Sequence, residues 1–156
     1  PTAGVGIGRR LFGARMLCRI SNTSTATGRF FFGVTSATAL PNNAQPLAVA
    51  DHGLIVGWNE TGTGSTNWSI FHNDGATSVT VDNVTGPVAK DTAYHTIEIN
   101  WAASGNPNII FDGTSQSITT DLPATTQILF FNCIAQASTT TAKTLLIKSI
   151  WIEADK

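Results

Sequence analysis

The stretch Glu98-Ile99-Asn100-Trp101-Ala102 is where this chain comes nearest to acid–base chemistry on a sugar. On a strand, residues 98, 100 and 102 project from one face. Retaining glycoside hydrolysis needs two carboxyl groups about 5–5.5 Å apart on such a face. Here the first position is a carboxylate, the second an amide and the third a methyl group. Asn100 and Ala102 can neither donate a proton nor attack a carbon. Glu98 therefore reads as a solvated surface residue, and the chain is expected not to be an enzyme. There is no Gly-x-Ser-x-Gly elbow and no P-loop. Gly4, Gly6 and Gly8 lack the strand before and the helix after that a phosphate loop requires. His52, His72 and His95 fall in separate segments, and Asp51, Asp74, Asp82, Asp91, Asp112 and Asp121 are isolated and mostly turn-forming. No catalytic residue, metal ligand set or cofactor is expected.

Residues suited to binding are better represented. A glycan site offers an aromatic ring to the apolar face of a sugar and amides or carboxylates to its hydroxyls. Trp58 and Trp68 flank the Gly/Thr/Ser-rich stretch Glu60–Thr66, with Asn59, Asn67, His72 and Asn73 nearby. These six residues form the expected ligand-binding set. Trp101 alternates in phase with Ile97 and Ile99, and Trp151 sits in an apolar terminal run, so both are expected in the core.

The elements that must position these residues are strands. Charged residues make up only 12% of the 156-residue chain, while hydrophobic residues reach 42%. Thr, Ser and Asn take the place of the missing charge, a bias that suits pleated, half-buried surfaces better than helices. Net charge is −1, with no basic run, which excludes a nucleic-acid-binding face. No apolar stretch approaches the roughly 20 residues of a membrane helix. The chain begins at Pro1 and reads as processed or cut from a larger protein. Cys18 and Cys133 lie in separate apolar runs; two buried thiols are the simpler expectation, and a disulfide stays open.

Pro1 to Gly13 reads as a lead-in or linker, and 14–156 as one β-sandwich domain. Strands are expected at Ala14–Ile20, Gly28–Val34, Asp51–Asn59, Asn67–Asn73, Ala76–Asp82, Tyr94–Ala102, Asn108–Phe111, Ser115–Thr120, Gln127–Ala135 and Lys143–Ala154. Asp74-Gly75 and Asp112-Gly113 are two-residue hairpin signals. Phe30, Phe31 and Phe32 in a row imply burial on both faces or at an interface. In Tyr94–Ala102 the even-numbered residues make a wet face and the odd-numbered ones a dry face. Such spacing argues for an all-β, two-sheet antiparallel sandwich.

Several phrases in the second half go further. They are Asn67-Trp68-Ser69-Ile70 with Asn73-Asp74-Gly75, Tyr94-His95-Thr96-Ile97-Glu98-Ile99, Phe111-Asp112-Gly113, Thr119-Thr120-Asp121-Leu122-Pro123, and the closing Lys143-Thr144-Leu145-Leu146-Ile147-Lys148-Ser149-Ile150-Trp151-Ile152-Glu153. Together they resemble a recurring module of bacteriophage virion proteins with the concanavalin A-like lectin/glucanase jelly roll. The resemblance spans roughly residues 14–156. It implies a jelly roll whose first and last strands lie near each other, in a tail fibre, spike, head fibre or capsid-decorating protein. The partner it implies is a host cell-surface glycan or another virion protein, on a virion assembled in the bacterial cytoplasm, and the assembly state it implies is a homotrimer. The alternative is a purely structural assembly or decoration module with no soluble ligand. Glycosidases of the laminarinase type share that fold, but their paired acids are the ones missing from Glu98-Ile99-Asn100-Trp101-Ala102.

Overall fold

A computed structural model describes residues 4–6, 12–20, 28–37, 46–58, 66–76, 78–86, 88–101, 106–124, 127–137 and 145–154, with backbone alone at 4–6, 12–20, 28, 128, 134–137, 145–147 and 152–154. The strands are β1 (Gly4–Gly6), β2 (Phe12–Ile20), β3 (Gly28–Thr35), β4 (His52–Trp58), β5 (Ser69–Asp74), β6 (Thr80–Asn83), β7 (Tyr94–Trp101), β8 (Asn108–Phe111), β9 (Thr114–Ser117), β10 (Ile128–Ala137) and β11 (Leu145–Ala154). They form two antiparallel sheets: a six-stranded back sheet ordered β1-β10-β3-β4-β5-β6 and a five-stranded front sheet ordered β11-β2-β7-β8-β9. The chain is an all-β, two-sheet jelly roll, and β2 pairs along its length with the last strand, β11.

Alternation builds the layer between the sheets. From the back sheet come Phe30, Phe32, Val34, Leu54, Val56, Trp58 and Ile70; from the front sheet come Ile97, Ile99, Trp101, Ile109 and Phe111. Removing this much apolar surface from water is the main stabilising term. The odd-numbered residues of β7 are buried and the even-numbered ones partly or fully exposed, as its sequence requires.

The Phe run is explained by burial on both faces of β3. Phe31 points away from the sandwich and packs edge-on against Phe71, ring centroids 5.7 Å apart. Leu47 and Ile55 complete this second cluster, with Val79 and Val81 against it. Gly57 lets β4 lie close to β3 here, because a Cβ at that position would stand 1.9 Å from the Phe30 carbonyl oxygen.

Two expectations need correction. Gly4–Gly6, read as lead-in, is a strand paired with Ile128–Phe130 of β10. Backbone hydrogen bonding needs no side-chain pattern, so a glycine-rich strand leaves little trace in sequence. Asp74-Gly75 does not make a two-residue hairpin, since β5 and β6 pair from His72 opposite Thr80. The Asp74 carboxylate instead accepts the Ala76 N–H at 2.9 Å, a local turn inside a longer loop. Asp112-Gly113 is the two-residue turn expected, with Phe111 opposite Thr114 and positive φ at both central residues (47° and 84°).

Cys133 lies in β10 of the back sheet and Cys18 in β2 of the front sheet. The side chain of Cys18 is outside those described. Burial raises the Cys133 thiol from 9.0 to about 11. Folding therefore favours the protonated thiol. This contribution is complete below pH 9, where both states are protonated, and is lost as pH climbs from 9 to about 11. Urea midpoints of the wild type should fall more steeply over that window than those of Cys133→Ala.

Candidate functional site: the outer face of the front sheet

The two sheets differ in what covers their outer faces. Over the back sheet, residues 46–51 lie as a cap, with Leu47 buried on Phe31, Ile55 and Phe71. Asn73, on the outer side of β5, holds the cap by donating from Nδ2 to the carbonyls of Ala48 (3.3 Å) and Val49 (2.9 Å). The Asp51 carboxylate accepts the Ala48 N–H at 2.7 Å. That face is occupied by the chain itself.

The front sheet carries instead an open row of polar and aromatic residues. Tyr94 and Trp151 are 47% and 52% exposed, and Thr96, Glu98, Asn100 and Ile110 are half-buried around them. Register fixes the layout: Trp151 lies opposite Arg15, Arg15 opposite Glu98, Glu98 opposite Ile110, and Ile110 opposite Ser115. With strands about 4.8 Å apart and residues about 3.4 Å apart along them, the Trp151 and Tyr94 backbones stand roughly 17 Å from each other. On β7, at and just beyond the row of Trp151, Asn100 Nδ2 donates to Glu98 Oε1 at 2.7 Å, which fixes an amide and a carboxylate together on the surface. Two rings separated by hydrogen-bonding groups suit an extended ligand with apolar faces and many hydroxyls.

Beneath Tyr94 the next residue anchors the strand. His95 is buried, its Nδ1 2.7 Å from Asp112 Oδ2 and its Nε2 2.9 Å from Asp91 Oδ1. Its ring packs on Trp68 and Phe111, centroids 5.3 and 5.1 Å away. Asp112 Oδ1 also accepts the Thr96 N–H at 2.8 Å, so one carboxylate ties the hairpin turn to the start of β7. His95→Phe keeps the ring volume and removes both links. Because the two carboxylates are about half exposed and can turn to water, the expected loss is modest, about 1–2 kcal/mol in urea unfolding.

This is not the site expected from sequence. Trp58 and Trp68 are each 1% exposed and lie inside the sandwich, in edge-to-face contact at 4.4 Å. Neither ring is available to a sugar. The reason is strand phase: Trp58 shares a face with Leu54 and Val56, and Trp68 with Ile70, so both turn inward. His72 is buried on that inner side, its Nδ1 3.0 Å from the Thr120 carbonyl and its Nε2 3.2 Å from Asp82. Asn73 is buried on the opposite side, holding the cap. Asn67 is half-buried in an isolated bridge with Ala89, and Asn59 lies outside the described residues. The structure thus scatters the expected set. Trp101 is in the core as anticipated, but Trp151 is not, because its register with Arg15 and Glu98 turns it to the outer face of the sheet.

No family model matches the sequence, and no curated protein matches it. Solved structures do match its fold. A family 7 alginate lyase, A1-II′, superposes with a TM-score of 0.61 at 12% identity, over 98% of this chain and 66% of that one. The carbohydrate recognition domain of Emp47p gives 0.60 at 13% identity, over 97% and 73%. A carbohydrate esterase from the Shiga toxin-encoding bacteriophage phi24B gives 0.50 at 16% identity, over 97% and 72%. These likenesses define the class: a concanavalin A-like jelly roll. Within it the chain spans about two thirds of the alginate lyase's length. They also correct the expectation that the chain is not an enzyme. Alginate lyases share this fold with lectin-type domains, so missing one pair of glycosidase acids does not exclude catalysis.

Proposed function

We propose that the chain recognises carbohydrate on the outer face of the front sheet, with Trp151 and Tyr94 as stacking platforms and Glu98 and Asn100 as hydrogen-bonding partners. The observation that carries this reading is the exposure of two large aromatic rings on the one sheet face that the described residues leave uncovered. Tyr and Trp rings with an apolar face and a polar edge, set on one surface with fixed hydrogen-bonding groups, suit ligand binding. The lectin-type and carbohydrate-active proteins among the structural neighbours support the choice of ligand class.

The setting in this reading is the surface of a bacteriophage particle, a fibre, spike or capsid, with a host cell-surface glycan as ligand. Its support is the run of strand-and-turn phrases from Asn67 to Glu153 and the phage esterase among the neighbours. A bacterial glycan array tests it. Saturable binding that is lost in both Tyr94→Ala and Trp151→Ala is the expected result. A blank array with folded protein would leave the face to a virion protein partner and end the carbohydrate reading.

A further inference from the structure

We infer that Asp74-Gly75 is a self-modification site that converts slowly to isoaspartate, while the fold holds the chain's other Asp-Gly hairpin pair, Asp112-Gly113, out of the same reaction. The Gly75 amide nitrogen attacks the side-chain carboxyl carbon of Asp74. A C–N bond forms, one carboxyl oxygen leaves as water with the amide proton and the acid proton, and a succinimide ring results. Water then reopens the ring at either carbonyl. One opening restores aspartate; the other routes the main chain through the side-chain carbon and lengthens it by a methylene. Nothing is oxidised or reduced. Glycine favours the attack because it carries no Cβ beside the nitrogen, and both pairs share that feature.

The two carboxyl groups are held differently. Both aspartates are exposed, so access to water does not separate them. Asp74 follows the last buried residue of β5, and its Oδ1 accepts the Ala76 N–H at 2.9 Å. Reaching two residues ahead folds the carboxyl over the peptide bond between, the one whose nitrogen attacks. β5 and β6 pair only from His72 opposite Thr80, so the loop can adjust as the ring closes. Asp112 has both oxygens engaged: Oδ1 accepts the Thr96 N–H at 2.8 Å, and Oδ2 lies 2.7 Å from His95 Nδ1. These contacts draw its carboxyl toward β7, while Gly113 leads to β9 on the other side of β8. The Phe111–Thr114 rung closes the turn tightly around it. Attack at Asp112 must first break those bonds, which slows it by about tenfold or more. The consequence of modification falls on the back sheet. Asp74 is the partner of His52 in the last rung between β4 and β5, and a Cβ on Gly75 would already stand 2.7 Å from the His52 ring. An extra main-chain methylene disrupts that rung, next to the Asn73 that holds the cap, and leaves the face of Tyr94 and Trp151 as it was.

The test is prolonged incubation of the intact protein at mildly acidic pH, then peptide mapping with fragmentation that distinguishes isoaspartate from aspartate. In the folded chain, isoaspartate is expected to form at position 74 about tenfold or more faster than at 112; in urea, the two rates should agree within a few-fold. His95→Phe, shown to be folded by far-UV circular dichroism, should speed the reaction at Asp112 severalfold. Equal rates in the folded chain, no isoaspartate at 74, or a folded His95→Phe with Asp112 as slow as before overturns the inference. The comparison of folded with urea-unfolded wild type decides the matter even if His95→Phe does not fold.

Discussion

Trp151→Ala is expected to weaken binding of a retained glycan by about tenfold to a hundredfold, while unfolding free energy stays within about 0.5 kcal/mol of wild type. Stacking a flat ligand face on an aromatic ring is worth about 1–3 kcal/mol where it has been measured on nucleic-acid bases, and about 1.4 kcal/mol is a factor of ten. The small stability effect follows from position. Trp151 is 52% exposed on an edge strand, so truncation leaves no sealed cavity. Isothermal titration calorimetry with an array-selected glycan, paired with urea unfolding, measures both numbers. A large stability loss would mean that the ring belongs to the core.

The opposite pattern is expected for Trp68. Its ring is 1% exposed and touches Trp58, Phe30, Phe111 and His95, with centroids between 4.4 and 5.6 Å away. It joins both sheets: its ring packs on Phe30 and Trp58 of the back sheet and reaches Phe111 and His95 of the front sheet. Trp68→Ala should cost about 3–5 kcal/mol, a large fraction of the stability of a domain this size. Trp68→Phe should cost much less, because it keeps an aromatic ring and removes a buried indole N–H that has no acceptor among the described residues. Chemical unfolding of the two variants side by side separates lost volume from lost hydrogen bonding. If alanine and phenylalanine are equally harmful, packing is not what Trp68 provides.

The contrast between these two tryptophans shows what the sequence could reveal. Local alternation was readable: β7 shows one wet and one dry face, Trp101 follows Ile97 and Ile99 inward, and Asp112-Gly113 turns as its residue types demand. Trp58 and Trp68 were misplaced because their flanking Gly, Thr and Ser suggested an exposed loop. Their phase with Leu54, Val56 and Ile70 held the better signal. Trp151 raised a different problem. Leu145–Ile152 is apolar enough for a central strand, and whether a strand is central or at an edge depends on pairing partners far away in sequence. The position of β11 at the end of the strand order is therefore a tertiary fact. The same holds for the cap on the back sheet. Nothing near Asn73 in sequence announces that its amide will hold residues 48 and 49 over the second aromatic cluster.

The most direct measurement is a nuclear magnetic resonance titration of isotope-labelled protein with an array-selected oligosaccharide. The account predicts shifts of the Trp151 indole signal and of amides in β7, β8 and β11, with the Trp58 and Trp68 indoles unmoved. Shifts concentrated on the capped back sheet, or at Trp58 and Trp68, would contradict it.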